Sequence, residues 1–266
     1  MDASTPRPLA VITGASSGIG LELAKQFAAA KHDLIVVAED VMLKPVAEGL
    51  SRGGVLVEEV TVDLATDDGV DEVWRRIAAL GRPVDALVLN AGVGEGGAFV
   101  ADTDLDAEMH VIDLNVRGTV RLAKHVLLTM AARGQGRVMF TSSIASTQPG
   151  TFHAVYNASK AFVQSFAVAI REELRETGVT VTALMPGPTD TEFFERAGME
   201  DTRVAQGPKD DPAQVAEQGF KAMMAGEEQV VAGSLTTKLM GRSGRFLPDG
   251  LKAKAHAKLA EPGSGS

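Results

Sequence analysis

The stretch Leu9-Ala-Val-Ile-Thr13-Gly14-Ala-Ser-Ser-Gly18-Ile-Gly20 begins as an apolar, β-branched run and ends in three glycines. Residues 21–30 then carry apolar side chains at helical spacing, so the segment predicts a strand, a tight turn and a helix. Glycines in such a turn let a pyrophosphate approach backbone N–H groups, and the helix N-terminus adds its positive dipole end. A plain tight turn is the alternative, and the flanking strand and helix favour the pyrophosphate site.

The rest of the chain repeats this alternation of strand and helix. Further strands are predicted at 34–38, 55–62, 86–89, 137–141, 179–185 and 229–232. The helices between them are predicted at 41–51, 66–80, 104–133, 153–177 and 211–225. Because strands that alternate with helices form parallel sheets covered on both faces, we expect one α/β domain over residues 1–262.

Composition and charge exclude several classes of protein. A formal net charge of −9 argues against general nucleic-acid binding, and the absence of cysteine excludes disulfides and thiolate chemistry. The five histidines show no paired spacing for zinc, so we expect no metal site. No apolar run approaches the ~18 residues of a membrane span, and residues 1–8 lack the apolar core of a signal peptide. We therefore expect a soluble, cytoplasmic protein.

Polar residues follow three of the predicted strands. Glu39 ends the second strand, nineteen residues after Gly20, near the spacing at which a carboxylate meets the adenosine ribose hydroxyls. The alternative is that Glu39 or Asp40 caps the next helix. Asp63 is a candidate acceptor for the adenine amino group and Asn90 a candidate brace of the central strand, although both are also ordinary turn residues.

A second informative stretch runs from Thr141 to Lys160. Tyr156 and Lys160 lie four residues apart on a predicted helix, so the ammonium and the phenol share one face. A neighbouring cation favours the phenolate, which lowers the pKa of a tyrosine from its ordinary value near ~10. Ser143, at the end of the preceding strand, adds a hydroxyl that is able to reach the same carbonyl oxygen.

These motifs together resemble the short-chain dehydrogenases/reductases over roughly residues 7–233. The residues that carry the resemblance are Thr13, Gly14, Gly18, Gly20, Asn90, Ala91, Gly92, Asn115, Ser143, Tyr156, Lys160, Pro186 and Gly187. The resemblance implies a Rossmann-type, doubly wound three-layer sandwich with a mostly parallel seven-stranded sheet. It also implies an NAD(P)-dependent oxidoreductase that interconverts a secondary alcohol and a ketone.

The resemblance assigns roles to the matched positions. Tyr156 is implied as the general acid/base, and Lys160 as the group that lowers the pKa of Tyr156 and holds the nicotinamide ribose. Ser143 is implied as the group that polarises the carbonyl, and Asn115 as the residue that positions a relay water. The implied pyrophosphate residues are Gly14, Ser16, Ser17, Gly18, Ile19 and Gly20. Asp63 and Leu64 are implied at the adenine, Asn90, Ala91 and Gly92 at the central strand end, and Pro186, Gly187, Thr189 and Thr191 at the nicotinamide carboxamide.

Cofactor and substrate are predicted less narrowly. A carboxylate at Glu39 repels a ribose phosphate and Ser17 supplies no cation, so we expect NAD rather than NADP. The expected substrate pocket is largely apolar and includes Ile144, Ala145, Gln148, His153, Phe193 and Phe194. The alternatives are an NADPH-dependent 3-oxoacyl-thioester reductase, with Arg196 and Arg203 on the carrier's phosphates, and a non-catalytic dinucleotide sensor or scaffold.

The last third of the chain carries three further expectations. The irregular residues 188–210 are interpreted as a lid over the nicotinamide and substrate, with a plain surface loop as the alternative. Residues 234–262 hold six basic and two acidic side chains and predict a solvated helical tail; covering the active site, packing on a partner and lying on an anionic surface are the alternatives. Residues 263–266 are typical of a cloning remnant. The long helices 104–133 and 153–177 are apolar enough to predict a homodimer or homotetramer.

Overall fold

A computed structural model describes residues 6–243 and 248–265, which contain one seven-stranded sheet. The strands are β1 (Leu9–Thr13), β2 (Asp33–Ala38), β3 (Val57–Thr61), β4 (Ala86–Leu89), β5 (Gly136–Thr141), β6 (Val179–Pro186) and β7 (Gln229–Ala232). Neighbouring strands are all parallel, in the order β3-β2-β1-β4-β5-β6-β7, which confirms the predicted doubly wound sheet. The first five residues, and Arg245, Phe246 and Leu247 of the basic tail, lie outside the described residues.

Eleven α-helices are found in the described part of the chain. They are α1 (Gly18–Ala29), α2 (Leu43–Ser51), α3 (Asp67–Ala79), α4 (Leu105–Ile112), α5 (Thr119–Arg133), α6 (Ala154–Glu173), α7 (Phe193–Arg196), α8 (Arg203–Gln206), α9 (Pro212–Ala225), α10 (Leu235–Ser243) and α11 (Asp249–Ala260). A π-helical segment (Asp113–Gly118) joins α4 to α5, and a 3₁₀ turn (Ile144–Thr147) follows β5. None of these described helices is long and apolar enough to cross a bilayer.

The sheet separates two hydrophobic cores. Side chains of a strand point alternately to opposite faces, so Leu9 and Val11 of β1 join the core under α3, α5 and α6. Ala10 and Ile12 join the core under α1, α2 and α9. Because both faces are covered, the inner strands β1, β2 and β4 are buried along their whole length, whereas the edge strand β3 carries Glu58 and Glu59.

The predicted continuous helix 104–133 is wrong at its centre. The chain widens into the π-helical segment Asp113–Gly118 before α5 begins. Two contacts explain the change: Asn115 is held by the backbone of Val93, and Gly118 packs so closely that a Cβ there would lie 2.1 Å from the Leu64 carbonyl oxygen. A π-helical turn of this kind re-aims a side chain toward a site.

The topology also fixes where a ligand binds. The chain leaves β1 toward β2 and β3 on one side and returns through β4 to β7 on the other. Ligands of such open sheets bind outside the carboxyl ends of the strands at this reversal of direction. The glycine turn after β1 and the residues after β4, β5 and β6 all meet at this edge.

Candidate active site

A single cleft runs along the carboxyl edge of the sheet and collects the predicted residues. All the predicted catalytic, cofactor and substrate residues line it except Gly20 and Asn115, which lie directly behind its wall. Glu192, Arg196, Met199, Met240, His256 and Leu259 also line it. The cleft therefore has a glycine-lined end, a central region at Tyr156 and an apolar end.

The glycine-lined end is shaped for close backbone approach. Gly18 adopts a positive φ of 53°, and a Cβ on Gly20 would lie 1.9 Å from the Gly14 carbonyl oxygen. Helix α1 begins here with no side-chain cap and no acidic residue in its first turn, whereas Thr66 caps α3 and two aspartates follow it. Free N–H groups and a positive dipole end suit a diphosphate, so these residues fit a dinucleotide.

The outer part of this end carries both signs of charge. Glu39 is exposed, while Asp40 accepts a hydrogen bond from the Met42 backbone N–H at 2.8 Å. The guanidinium of Arg196 lies 3.3 Å from an Asp40 carboxylate oxygen and 2.5 Å from a Glu192 oxygen. Residues 188–210 therefore bring the cation of Arg196 beside Asp40, with its charge balanced by two carboxylates.

Asn90 links the three central strands at their carboxyl ends. Its side-chain amide faces the carbonyl oxygens of Thr13 and Gly14 at 3.3 and 3.4 Å, and its oxygen accepts from Thr141 Oγ1 at 3.1 Å. Thr13 Oγ1 accepts in turn from the backbone N–H groups of Asn90 and Ala91, at 2.9 and 3.0 Å. This network fixes the floor of the cleft.

The side chain of Asn115 makes three hydrogen bonds to protein groups. Its Oδ1 accepts from the Val93 N–H at 2.9 Å, and its Nδ2 donates to the Val93 carbonyl at 2.9 Å and to Ser159 Oγ at 3.0 Å. A Cβ on Gly92 would lie 2.9 Å from Asn115 Oδ1 and 3.1 Å from Lys160 Nζ. Asn115 thus clamps the segment after β4 against the base of the site, beside Lys160.

Tyr156 and Lys160 occupy the first turns of α6 and face the cleft. Both are buried, at 8% and 5% exposure, and Lys160 Nζ lies 5.7 Å from the centroid of the Tyr156 ring. The ammonium donates to the Thr141 carbonyl at 3.0 Å. Ser143 caps the 3₁₀ turn by accepting from the Ala145 N–H at 3.1 Å, and its hydroxyl lies 3.4 Å from the Pro186 carbonyl.

The pKa values of this pair move in directions set mainly by burial. Desolvation raises the pKa of the Tyr156 phenol to about 12, and a hydrogen bond from Ser143 acts in the opposite direction. Burial lowers the pKa of Lys160 to about 8. The expected lowering of the phenol pKa is therefore not found in the protein alone, because loss of hydration outweighs the hydrogen bond from Ser143.

The apolar end is enclosed by residues 188–210, which the sequence predicts to be irregular. They contain two short helices, α7 and α8, and their base is closed by a bridge between Thr189 and Asp210. Phe194, Ala197, Met199 and Ala205 form a small core with Ala260 of α11. Phe193 packs its ring 5.0 Å from that of Tyr156, so the loop delivers aromatic surface to the central region.

The described tail is helical and largely exposed, as predicted, but three of its residues line the cleft, which agrees with the alternative that the tail covers the site. Helix α11 packs by burying Lys252 and Ala260, and Lys252 Nζ donates to the Thr147 carbonyl at 3.2 Å. His256 and Leu259 of this helix line the cleft, as does Met240 of α10. The face of α11 that packs on the domain carries the buried Lys252 and Ala260 and the half-buried His256. Two of these three side chains are polar, so apolar periodicity does not predict that this helix packs on the domain.

The final residues continue this contact. The Gly263 N–H donates to an Asp201 carboxylate oxygen at 2.7 Å, and the Gly265 N–H donates to the Asp201 carbonyl at 2.8 Å. The Arg203 side chain donates to the Ser264 carbonyl at 2.8 Å. Residues 263–265 therefore lie against Asp201 and Arg203 of the segment 188–210.

Within residues 6–243 and 248–265, no three His, Asp or Glu side chains are grouped as a metal site would require.

Comparison with known proteins shows which family the chain is similar to. A family model described as short chain dehydrogenase matches residues 8–201. Retinol dehydrogenase 8 of Bos taurus is 36% identical over 216 residues, which cover 79% of this chain and 67% of that protein. Sulfoacetaldehyde reductase 2 of Chromohalobacter salexigens is 37% identical over 188 residues, 70% of this chain and 74% of that one.

Solved structures agree with these sequence matches. A short-chain dehydrogenase from Sphingobium yanoikuyae in complex with NADPH superposes with a TM-score of 0.78 at 31% identity, covering 84% of this chain and 87% of that chain. The bulky-bulky ketone specific alcohol dehydrogenase from Comamonas testosteroni gives a TM-score of 0.74 at 29% identity, covering 85% and 86%.

Proposed function

The chain belongs to the short-chain dehydrogenase/reductase family of oxidoreductases, and from that premise we propose that it interconverts a secondary alcohol and a ketone with NAD(H), using Tyr156 as general acid/base. One observation carries the proposal. The buried phenol of Tyr156, the buried ammonium of Lys160 and the half-buried hydroxyl of Ser143 line the same stretch of a cleft whose other end suits a diphosphate.

The residues of the chain divide the proton chemistry among them. In ketone reduction, the Tyr156 hydroxyl donates its proton to the substrate oxygen as negative charge develops there. Ser143 donates a hydrogen bond to the same oxygen, so two donors stabilise the developing charge. In alcohol oxidation, Tyr156 accepts the proton, and the Lys160 ammonium on the same helix face favours the phenolate that does so.

The other cleft residues fit the nicotinamide dinucleotide, which when bound supplies or accepts the hydride. Gly14, Ser16, Ser17, Gly18, Ile19 and Gly20 would hold the diphosphate, and Asp63 and Leu64 the adenine. Pro186, Gly187, Thr189 and Thr191 would hold the carboxamide. Asn115 would position a water of the proton relay; its three side-chain hydrogen bonds support a bracing role alongside.

The charge around the ribose supports NAD as the preferred cofactor. Glu39, Asp40 and Glu192 place three carboxylates at this end against the one guanidinium of Arg196. A ribose phosphate would add further negative charge to a region that is already net negative. The Sphingobium relative is a complex with NADPH, so the proposed preference distinguishes this chain from that relative.

The apolar end supports a bulky, lipophilic substrate. Phe193, Ile144 and Met199 line it, and Leu259 adds apolar surface from the tail. The names of two relatives agree with this chemistry, since one is a retinol dehydrogenase and another is a bulky-bulky ketone specific alcohol dehydrogenase.

Replacing Tyr156 with phenylalanine tests the assignment. We expect turnover to fall by at least a hundredfold, because general acid/base placement contributes ~10²–10⁴ in rate. Binding of NADH, followed by fluorescence titration, should remain near the wild-type value. A variant that keeps more than a few per cent of the activity would refute the assignment of Tyr156 as general acid/base.

The 3-oxoacyl-thioester reductase remains the second candidate, but its proposed phosphate contacts are occupied. Arg196 is paired with Asp40 and Glu192, and Arg203 with the Ser264 carbonyl. Turnover of a β-keto thioester with NADPH, faster than that of any simple ketone with NADH, would favour this candidate. Nucleotide binding without turnover on a broad panel of ketones and alcohols would favour a sensor or scaffold.

We also propose a homodimer or homotetramer formed through α4 and α6. Leu105 and Met109 of α4 are 67% and 43% exposed, and Phe162 of α6 is 42% exposed. Large apolar side chains on neighbouring helices are typical of a subunit interface. Light scattering during size-exclusion chromatography gives the mass that decides this point.

A further inference from the structure

Asp210 is a buried acidic residue that the mechanism above does not use. Its side chain is 7% exposed. Its Oδ1 accepts a hydrogen bond from the Ser234 backbone N–H at 2.9 Å, and its Oδ2 accepts one from the Thr237 hydroxyl at 2.5 Å. Burying a carboxylate is costly unless hydrogen-bond donors replace its water. The two donors that hold Asp210 inside the protein both come from the chain that follows β7.

The backbone of Asp210 closes the base of the segment 188–210. Its N–H donates to the Pro188 carbonyl at 2.7 Å, and its carbonyl accepts from the Asp190 N–H at 2.9 Å. These two bonds form the bridge to Thr189. One residue therefore joins the two ends of this segment through its backbone and joins them to the chain after β7 through its side chain.

The turn after β7 is shaped around this carboxylate. Gly233 adopts a positive φ of 131°, and a Cβ on it would lie 2.1 Å from Asp210 Oδ2. The side-chain amide of Gln218 holds Gly233 from α9, since it donates to the Gly233 carbonyl at 3.3 Å and accepts from the Gly233 N–H at 3.2 Å. The carboxylate also lies at the N-terminus of α10, where the helix dipole favours a negative charge.

This cluster packs directly against the part of the cleft that we assign to the nicotinamide. A Cβ on Gly187 would lie 2.6 Å from Thr237 Cγ2 and 3.3 Å from Asp210 Oδ2. The Thr189 hydroxyl donates to the Gly187 carbonyl at 2.9 Å, and residues 186–189 all line the cleft. Asp210 and Thr237 therefore form the wall behind these residues.

We propose that Asp210 is a positioning residue for the nicotinamide end of the cofactor, because it holds residues 186–189 in the conformation that receives the carboxamide. This rests on the proposed dinucleotide site. Without the carboxylate, the turn after β7 and the base of the segment 188–210 are no longer joined by its two hydrogen bonds. Binding of the carboxamide then includes the cost of ordering residues 186–189. The adenine and diphosphate ends of the site are unaffected.

NADH and ADP-ribose test the proposal, because ADP-ribose has the adenine, both riboses and the diphosphate but no nicotinamide. We expect the wild type to bind NADH more tightly than ADP-ribose in calorimetric titrations. In Asp210→Ala, the Kd for NADH should rise about tenfold and the Kd for ADP-ribose should change by less than about twofold. Asp210→Asn keeps an acceptor oxygen and should recover part of the NADH affinity. Equal binding of the two ligands by the wild type, or an equal change of both in Asp210→Ala, overturns the proposal.

The neighbouring aspartate supplies a matched control. Asp211 caps α9 by accepting from the Ala213 N–H at 2.9 Å, so Asp211→Ala removes a carboxylate at the adjacent position and costs the stability of one N-cap. It should leave the ratio of the two Kd values unchanged. Thr237→Val keeps the methyl group on Gly187 and removes the hydroxyl, so it should weaken NADH binding as Asp210→Ala does. A ratio that changes as much in Asp211→Ala as in Asp210→Ala reports general destabilisation and refutes the positioning role.

Failure of the proposed function can be distinguished from failure of this inference. If the wild type binds neither NADH nor ADP-ribose, the dinucleotide site fails, and limited digestion of the free protein with trypsin decides whether Asp210 holds the segment. Arg203 in the segment and Arg175 outside it are both exposed. Asp210→Ala should increase cleavage after Arg203 relative to cleavage after Arg175 about tenfold, and Asp211→Ala should not. Equal cleavage ratios in the two variants contradict the inference.

Discussion

Replacing Asn115 with alanine tests whether this residue braces the active site as the structure describes. The side chain is 1% exposed and makes three hydrogen bonds, two to the backbone of Val93 and one to Ser159 Oγ. Each such bond contributes about 1 kcal/mol net, and its loss leaves a buried partner unpaired. Because Val93 is only partly buried, water is able to replace part of its bonding. We therefore expect the free energy of unfolding to fall by about 3 kcal/mol.

Urea denaturation followed by the fluorescence of the single tryptophan, Trp74, measures this change. A loss of about 3 kcal/mol corresponds to a decrease in the melting temperature on the order of 6–12 °C. Activity should fall as well, because release of the Val93 clamp frees the segment at Gly92 that lies against Lys160.

Ser159→Ala is the matched control. It removes the bond from Asn115 Nδ2 to Ser159 Oγ and the bond that Ser159 Oγ donates to the Tyr156 carbonyl at 2.7 Å, and it keeps the Val93 clamp. It should therefore lower the free energy of unfolding by about 1–2 kcal/mol. A double-mutant cycle isolates this bond. If Asn115→Ala costs no more than Ser159→Ala, the Val93 clamp is not a stabilising contact and the bracing argument is refuted.

Three further predictions follow from the cleft. Glu39→Gln should raise the ratio of kcat/KM with NADPH to kcat/KM with NADH about tenfold at low salt, and Glu39→Arg should raise this ratio further. An unchanged ratio in both variants means that Glu39 does not face the ribose. Ultraviolet titration of the only tyrosine should show a midpoint for Tyr156 near 12, and a midpoint at or below 10, the ordinary value, contradicts the dominance of burial. Gly92→Ala should destabilise the protein by about 1–3 kcal/mol and abolish most activity, whereas Gly49→Ala, where a Cβ meets nothing within 4 Å, should leave stability equal or slightly higher by thermal melt.

The sequence predicts much of the fold, because buried strands and amphipathic helices each give the apolar residues a characteristic spacing. The sequence also predicts the glycine turn after β1 and the pair of Tyr156 and Lys160, because each depends only on the spacing of residues close together in the chain. The prediction of one continuous helix over 104–133 is wrong, because the π-helical turn is accompanied by hydrogen bonds between Asn115 and Val93, which are far apart in sequence. The sequence gives no sign of that contact.

What the sequence by itself determined is the parallel sheet, the family and the list of residues at its carboxyl edge. Only the tertiary structure decided how the cleft is closed. Arg196 reaches Asp40 from a loop 156 residues further along the chain, and His256 reaches Thr151 from the tail. The pKa of Tyr156 is likewise a tertiary property, because burial under Phe193 and His153 raises it despite the lysine one helical turn away. Burial depends on which distant segments pack over a residue, and the spacing of nearby residues in the sequence does not predict that packing.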